Sequence, residues 1–204
     1  QQLLRGSYLE IKHNQEQFGD RQTFTFDHTL FGLDSKTVLG AEYNKVRFNV
    51  DSNSPYNDVG GDYLDPWQPQ PGGFHSASPL RPQTLSTTHT FALFAENRLQ
   101  LSDRLSLVTG VRRDQNHIDR NNLINDSRSD RSLQGGNWRV GLVYAISDDL
   151  SLYGQYSTSE DGVNNLISLS PAQMNYDLTE AKQTEVGLKP VSYTHLTLPT
   201  ILLV

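Results

Sequence analysis

Residues Asn137 to Ser159 read NWRVGLVYAISDDLSLYGQYSTS. Every second position from Trp138 gives Trp138, Val140, Leu142, Tyr144 and Ile146, while Arg139, Gly141, Val143, Ala145 and Ser147 stand between them. A period of two belongs to an extended strand whose faces differ in chemistry. Asp148-Asp149 interrupts the pattern and Leu150 to Ser159 resumes it, which predicts strand, tight turn, strand. One face of the first strand is strongly apolar and must be kept from water, either by a protein core or by lipid.

Strand length bears on that choice. Trp138 to Ile146 would cover roughly 26 Å of extended chain at about 3.3 Å per residue. A barrel strand needs about nine to eleven residues to cross hydrocarbon, whereas soluble strands typically have about five or six. Arg104 to Ile118 splits in the same way, with Leu105, Leu107 and Val111 against Arg104, Ser106, Gly110, Arg112 and Asp114. A charged face suits a hydrated lumen. A soluble sandwich also permits such alternation, so periodicity by itself leaves core and lipid open.

The same signature recurs along the chain. Candidate strands are Leu3 to His13, Arg21 to Phe31, Lys36 to Val50, Thr87 to Leu101, Arg104 to Ile118, Asn137 to Ser147, Leu150 to Ser159 and Ala181 to Lys189. No stretch has a clean helical period, and the chain reads as all-β. Gly32 to Ser35, Ser102-Asp103 and Asp148-Asp149 are read as tight turns. Asn14 to Asp20, Asp51 to Ser86, Asp119 to Gly136 and Glu160 to Glu180 are read as longer connections. Short and long connections then alternate, which is how an outer-membrane barrel is wired. Asp51 to Ser86, with SPYND, GGDYLDPWQPQPGG and SPLRPQ, would be awkward as a structureless loop in a compact soluble domain.

Composition narrows the function class. The chain has 204 residues, a formal net charge of −6 and no cysteine. The charge and the absence of a Lys/Arg cluster argue against nucleic-acid binding. Without cysteine there is no disulfide scaffold, thiolate metal site or Cys nucleophile. No run of about eighteen apolar residues suggests a transmembrane helix, and a mean hydropathy of −0.56 suits barrel strands that show only alternate residues to lipid. The chain starts QQLLRG, without an initiator Met or export signal, and is expected to be a piece of a longer protein. Val191 to Thr200 reads VSYTHLTLPT, which back-translates to one frame of a transposase sequencing adapter. Residues 1–190 are therefore expected to be native and 191–204 an adapter-derived tail.

Signals for chemistry are weak. His13, His28, His75, His89, His117 and His195 show no metal-ligand spacing, and there is no G-x-S-x-G elbow. Asp51, Asn53, Asp58 and Asp62 lack EF-hand spacing and read better as turn formers. Asn125-Asp126-Ser127 matches a glycosylation sequon that is read as accidental. Neither an enzymatic activity nor a cofactor is expected.

Three stretches together resemble the barrel of TonB-dependent outer-membrane receptors, in the siderophore-receptor branch. Thr90 to Gln115, TFALFAENRLQLSDRLSLVTGVRRDQ, is similar to the family's strand, turn and strand ending in Gly-x-Arg-x-Asp, here Gly110, Arg112 and Asp114. Asn137 to Ser159 resembles the next hairpin, and KQTEVGLK at Lys182 to Lys189 resembles a Glu-x-Gly-x-Lys strand, with Thr184 where Tyr is commoner. Ser35 to Asn49 fits an earlier strand. The resemblance implies an antiparallel transmembrane barrel of about 22 strands with a plugged lumen, of which this chain would supply about eight consecutive strands.

Implied partners are a ferric siderophore or similar chelate, the TonB energy-coupling protein acting through a part outside these residues, and outer-membrane lipid. Tyr56, Tyr63, Trp67, Phe74 and Arg81 in the long loop would offer aromatic faces and a guanidinium to a planar anionic chelate. The plainer reading is that these aromatics pack the loop. The resemblance leaves three rivals to siderophore uptake: the same architecture for cobalamin, haem or an oligosaccharide, a passive porin or structural barrel, and a soluble all-β binding module.

Overall fold

In a computed structural model, residues 2–5, 8–55, 62–70, 76–160 and 178–190 are described. They form β1 (Leu3–Arg5), β2 (Ile11–Leu30), β3 (Leu33–Ser52), β4 (Asp62–Leu64), β5 (Arg81–Ser102), β6 (Leu105–Asn122), β7 (Ser127–Ser147), β8 (Leu150–Glu160) and β9 (Glu180–Pro190). The long strands make one seven-stranded antiparallel meander in the order β2-β3-β5-β6-β7-β8-β9, and β1 pairs with β4 in a separate two-stranded sheet. The expected all-β antiparallel class holds. The sheet is open, with β2 and β9 at its edges.

All three tight turns lie at one end. Phe31 and Gly32 both have positive φ (54° and 79°) between β2 and β3, the pattern of a type I′ hairpin whose twist matches its flanking strands. The turn is therefore centred two residues earlier than GLDS suggested, and Leu33–Ser35 already belongs to β3. Ladder irregularities at Gln100/Ser102 and Ala145/Ser147 lie beside the other two turns.

At the opposite end, three expected connections give way partly or wholly to strand. Asn14 to Asp20 does not connect two strands. It lies inside β2, which runs 20 residues and pairs without interruption from Ile11↔Ser52 to Leu30↔Leu33. The expected connection Asp119 to Gly136 shrinks to Leu123–Asp126, because β6 continues to Asn122 and β7 starts at Ser127. The Asn122 Oδ1 accepts from Ile124 N at 3.0 Å, Asn125 Oδ1 accepts from Ser127 N at 3.2 Å, and Asp126 adopts φ 53°. These side chains replace the backbone partners that the turn removes. Likewise Asp51 and Ser52 finish β3, and Arg81 to Ser86 begin β5. A polar, Gly-containing segment such as NQEQFGD looks like a loop by composition, yet its backbone is bound along the whole ladder.

Candidate functional site

Alternation and register divide the meander into two faces. On one, Leu39, Tyr43, Phe91, Leu93, Val111, Trp138, Val140, Leu142, Tyr144 and Ile146 remain between 37 and 60% exposed, and among the described residues no second layer covers them. Val111 stands opposite Trp138 and Leu107 opposite Leu142, so the apolar side chains form one band across neighbouring strands.

The other face carries fixed charge. Arg112 Nε donates to Asp114 Oδ1 at 3.0 Å and Arg112 Nη1 to Glu42 Oε2 at 3.2 Å, with all three side chains less than a third exposed. The Phe94 ring lies beside this group, with the Arg21 guanidinium 4.6 Å and that of Arg112 6.0 Å from its centroid. Gly40 makes room for it, since a Cβ there would run into the Phe94 ring. Along the neighbouring strands, Arg139 Nη2 donates to Glu96 Oε2 at 2.6 Å across Gly110, where a Cβ would meet Arg139 Cγ at 3.1 Å. Beyond it, Tyr153 Oη donates to Glu185 Oε1 at 2.6 Å. Arg139 and Gly141, which alternate with the apolar set of β7, lie on this face. The face carries mutually neutralising ion pairs that suit water or a polar filling.

Towards the end bearing the longer connections, polarity between the faces reverses. Val46, Phe48, Ile118 and Leu133 are buried on the lumen-side face, at 1 to 8% exposure. Lys45, Arg47, His117 and Asp119 are turned outward, and Arg128 Nη2 donates to Asp119 Oδ1 at 3.0 Å, holding that carboxyl below its usual range. Within the buried stretch, Ser86 Oγ, Thr88 Oγ1, Arg120 Nε and Arg120 Nη1 are occluded and have no hydrogen-bond partner. Desolvation also holds the Arg120 pKa below its ordinary value.

Three of the five expected ligand contacts, Tyr63, Trp67 and Arg81, lie among the described residues. Tyr56 and Phe74 lie outside the described residues. Tyr63 is in β4 opposite Leu4 and is 65% exposed. Trp67 is 85% exposed on a turn in which Asp65 Oδ1 accepts its backbone N–H at 2.9 Å. Arg81 opens β5 opposite Ser52. Asn53, read from the sequence as a turn former, is 2% exposed. Its Oδ1 accepts from Glu10 N at 2.9 Å, and its Nδ2 donates to Tyr8 O at 2.7 Å and Ser76 Oγ at 3.0 Å. Asn53 thus clamps the segments carrying Tyr8, Glu10 and Ser76. Among the described residues no group of three His, Asp or Glu side chains is placed to hold a metal.

The chain is 17% identical to the ferric citrate transporter FecA (TM-score 0.69), covering 89% of this chain and 26% of that one. It is 17% identical to the siderophore receptor PiuA of Acinetobacter baumannii (TM-score 0.70; 87% and 29% covered). It is 16% identical to BauA, the ferric preacinetobactin receptor of the same organism (TM-score 0.67; 88% and 27%). At such identities the likeness is one of fold, and the chain spans a little over a quarter of each structure. No curated protein sequence matches it. The family model of the TonB-dependent receptor-like β-barrel matches residues 2–199, running into the segment that resembles a translated adapter. The chain belongs to the TonB-dependent receptor-like β-barrel family.

Proposed function

We propose that this chain is part of the wall of a bacterial outer-membrane receptor that takes up ferric siderophores with energy delivered through TonB. Residues 1–190 are the receptor portion and 191–204 the adapter-derived tail. The observation that carries the membrane reading is the bare apolar band backed by an ion-paired face, since a lone soluble sheet would leave that band in water. The fold's likeness to receptors for ferric citrate and siderophores favours a ferric chelate over cobalamin, haem or an oligosaccharide. Above the band, the strands of the wall continue as an exterior rim from which Tyr63, Trp67 and Arg81 face solvent. The receptor binds the chelate at this rim and passes it through the barrel without covalent chemistry.

The test is deletion of the gene carrying this segment, followed by uptake of radiolabelled iron from a panel of ferric chelates. Loss of uptake of one chelate, matched by the same loss in a TonB-deficient strain, is expected. Uptake that persists without TonB would indicate a passive porin. A purified full-length protein that is stable and monodisperse without detergent would sink the barrel reading.

A further inference from the structure

Tyr43 on β3 and Trp138 on β7 define an oblique line across the outward face. Trp138 pairs with Val111, Val111 with Ala95 and Ala95 with Leu39, which is four residues below Tyr43 on β3. A fall of about 13 Å over three strand spacings of about 4.8 Å is a slope of about 40°, the tilt of strands in a barrel wall. The line therefore runs along the membrane surface. It crosses an outward groove of about 290 Å³ between β5 and β6, lined by residues 93–95 and 111–113. Leu93 stands opposite Arg113 and Ala95 opposite Val111, so these four side chains form its corners. Leu93, Ala95 and Val111 lie on the lipid side of the line and Arg113 just on the water side. The groove is deepest at Ala95, whose methyl stands between the larger Leu39 and Val111. Arg113 Nη2 donates to the neutral Gln134 Oε1 at 2.7 Å, and its guanidinium lies over Gly136, where a Cβ would come within 3.4 Å of Nη1. Lys45 is outward on β3, two residues above Tyr43 and opposite His89. Among the described residues neither cation meets a carboxylate. Of the outward carboxylates nearby, Glu16 is engaged by Arg47 and Asp119 by Arg128, and Asp20 Oδ2 accepts from Gln22 Nε2.

We infer that this part of the outer wall binds a diphosphorylated glycolipid of the outer leaflet, with one acyl chain in the groove beside Ala95 and its phosphates on Arg113 and Lys45. The inference rests on the membrane reading above and is independent of which chelate is taken up. Any acyl chain can fill the groove below the line, so selection comes from the cations above it. A guanidinium offers a phosphate two parallel N–H groups, and an ammonium adds a compact charge. From their register, the Cα atoms of Lys45 and Arg113 are about 16 Å apart, two strands and four residues removed. Their long side chains can close part of that span. Two cations so spaced suit phosphates at the two ends of a sugar headgroup better than the single phosphate of a phospholipid.

The experiment uses the full-length receptor, purified in detergent and freed of co-purifying lipid, with bound lipid counted by native mass spectrometry during titration. The probes are lipid A carrying both phosphates, the same lipid after enzymatic dephosphorylation, and phosphatidylglycerol. The wild type should bind the diphosphorylated lipid about 10- to 100-fold more tightly than the dephosphorylated one, as expected for charged hydrogen bonds. Arg113→Gln and Lys45→Gln should each remove much of that preference. Ala95→Phe, which fills the groove and leaves both cations, should weaken both forms of lipid A by a similar factor. Equal affinity of the wild type for the two forms overturns the site, as does an unchanged preference in folded Arg113→Gln, or unchanged affinity in Ala95→Phe should Arg113→Gln not fold. Phosphatidylglycerol bound as tightly as the diphosphorylated lipid overturns the glycolipid assignment. A receptor that needs detergent yet binds none of the three lipids overturns the site alone, whereas one that is stable and monodisperse without detergent overturns the membrane reading with it.

Discussion

Replacing Leu142 by arginine tests which face meets lipid. Leu142 lies midway along the apolar set from Trp138 to Ile146 and is 48% exposed on the sheet. An arginine at the midplane on the lipid side of an outer-membrane barrel costs about 2–4 kcal/mol, falling to about 0–1 near the interface. Gln134 is eight residues earlier on the same strand and face. At about 3.3 Å per residue and about 40° of tilt, it stands about 20 Å higher, outside the hydrocarbon. Leu142→Arg should therefore lower the unfolding free energy of the full-length receptor in lipid vesicles by about 3 kcal/mol, while Gln134→Arg changes it by less than about 1. The measurement is guanidinium unfolding followed by tryptophan emission, with heat-modifiable gel migration as a check that the barrel closes. Equal midpoints for Leu142→Arg and wild type would refute the lipid assignment. So would a Gln134→Arg penalty as large as that of Leu142→Arg, because the cost would then not depend on depth.

Two further substitutions probe the wall and the rim. Gly40→Ala places a methyl against the Phe94 ring, an overpacking that should cost about 1–3 kcal/mol; Phe94→Ala in the same protein should recover part of that loss in a double-mutant unfolding cycle. Asn53→Ala removes the amide that ties Tyr8, Glu10 and Ser76, and the buried groups left unpaired should cost about 1–3 kcal/mol locally. Limited proteolysis of intact cells should then cut near residues 53–80 several-fold faster, with the unfolding midpoint of the membrane-spanning part unmoved.

Much of the wall was legible in the sequence because its signal is local. Period-two alternation in Asn137 to Ser147 and Arg104 to Ile118 fixed the two faces, and Asp- and Gly-containing turns fixed one end. The rim was hidden for a physical reason. Its outward residues meet water, so Asn14 to Asp20 and Asp119 to Gly136 have loop-like composition, and pairing makes them strands, the first with Tyr43 to Asn49 and the second as the hairpin end of β6 and β7. Of the candidate contacts chosen by residue type, Tyr63 and Trp67 are exposed. Arg120, Ser86 and Asn53 stand out only through register and burial, which depend on which strand is the neighbour.

The reversal of polarity along a single strand weighs most against a soluble module. On β3 the inward set passes from Gly40, Glu42 and Asn44 to Val46 and Phe48, while the outward set passes from Leu39 and Tyr43 to Lys45 and Arg47. On β6 and β7, inward Arg112 and Arg139 give way to Ile118 and Leu133, and outward Val111 and Trp138 to Gln115, His117 and Gln134. Phe18, outward on edge strand β2, is an exception. A one-residue slip would also exchange the faces, but β3–β5 pairing stays in phase from Ser35 to Val50, and β6–β7 pairing shows no shift at all. With register unbroken, the environment must change. On the proposed reading the apolar stripe follows lipid below the crossing and a protein interior above it, as expected of a wall that leaves the membrane. Tyr43, Phe91 and Trp138 sit at the crossing, where aromatic residues collect at a membrane interface. Tyr43 extends its hydroxyl to within 2.9 Å of His89 Nδ1, on the water side. A sandwich in water would keep its apolar stripe on one face along the whole strand.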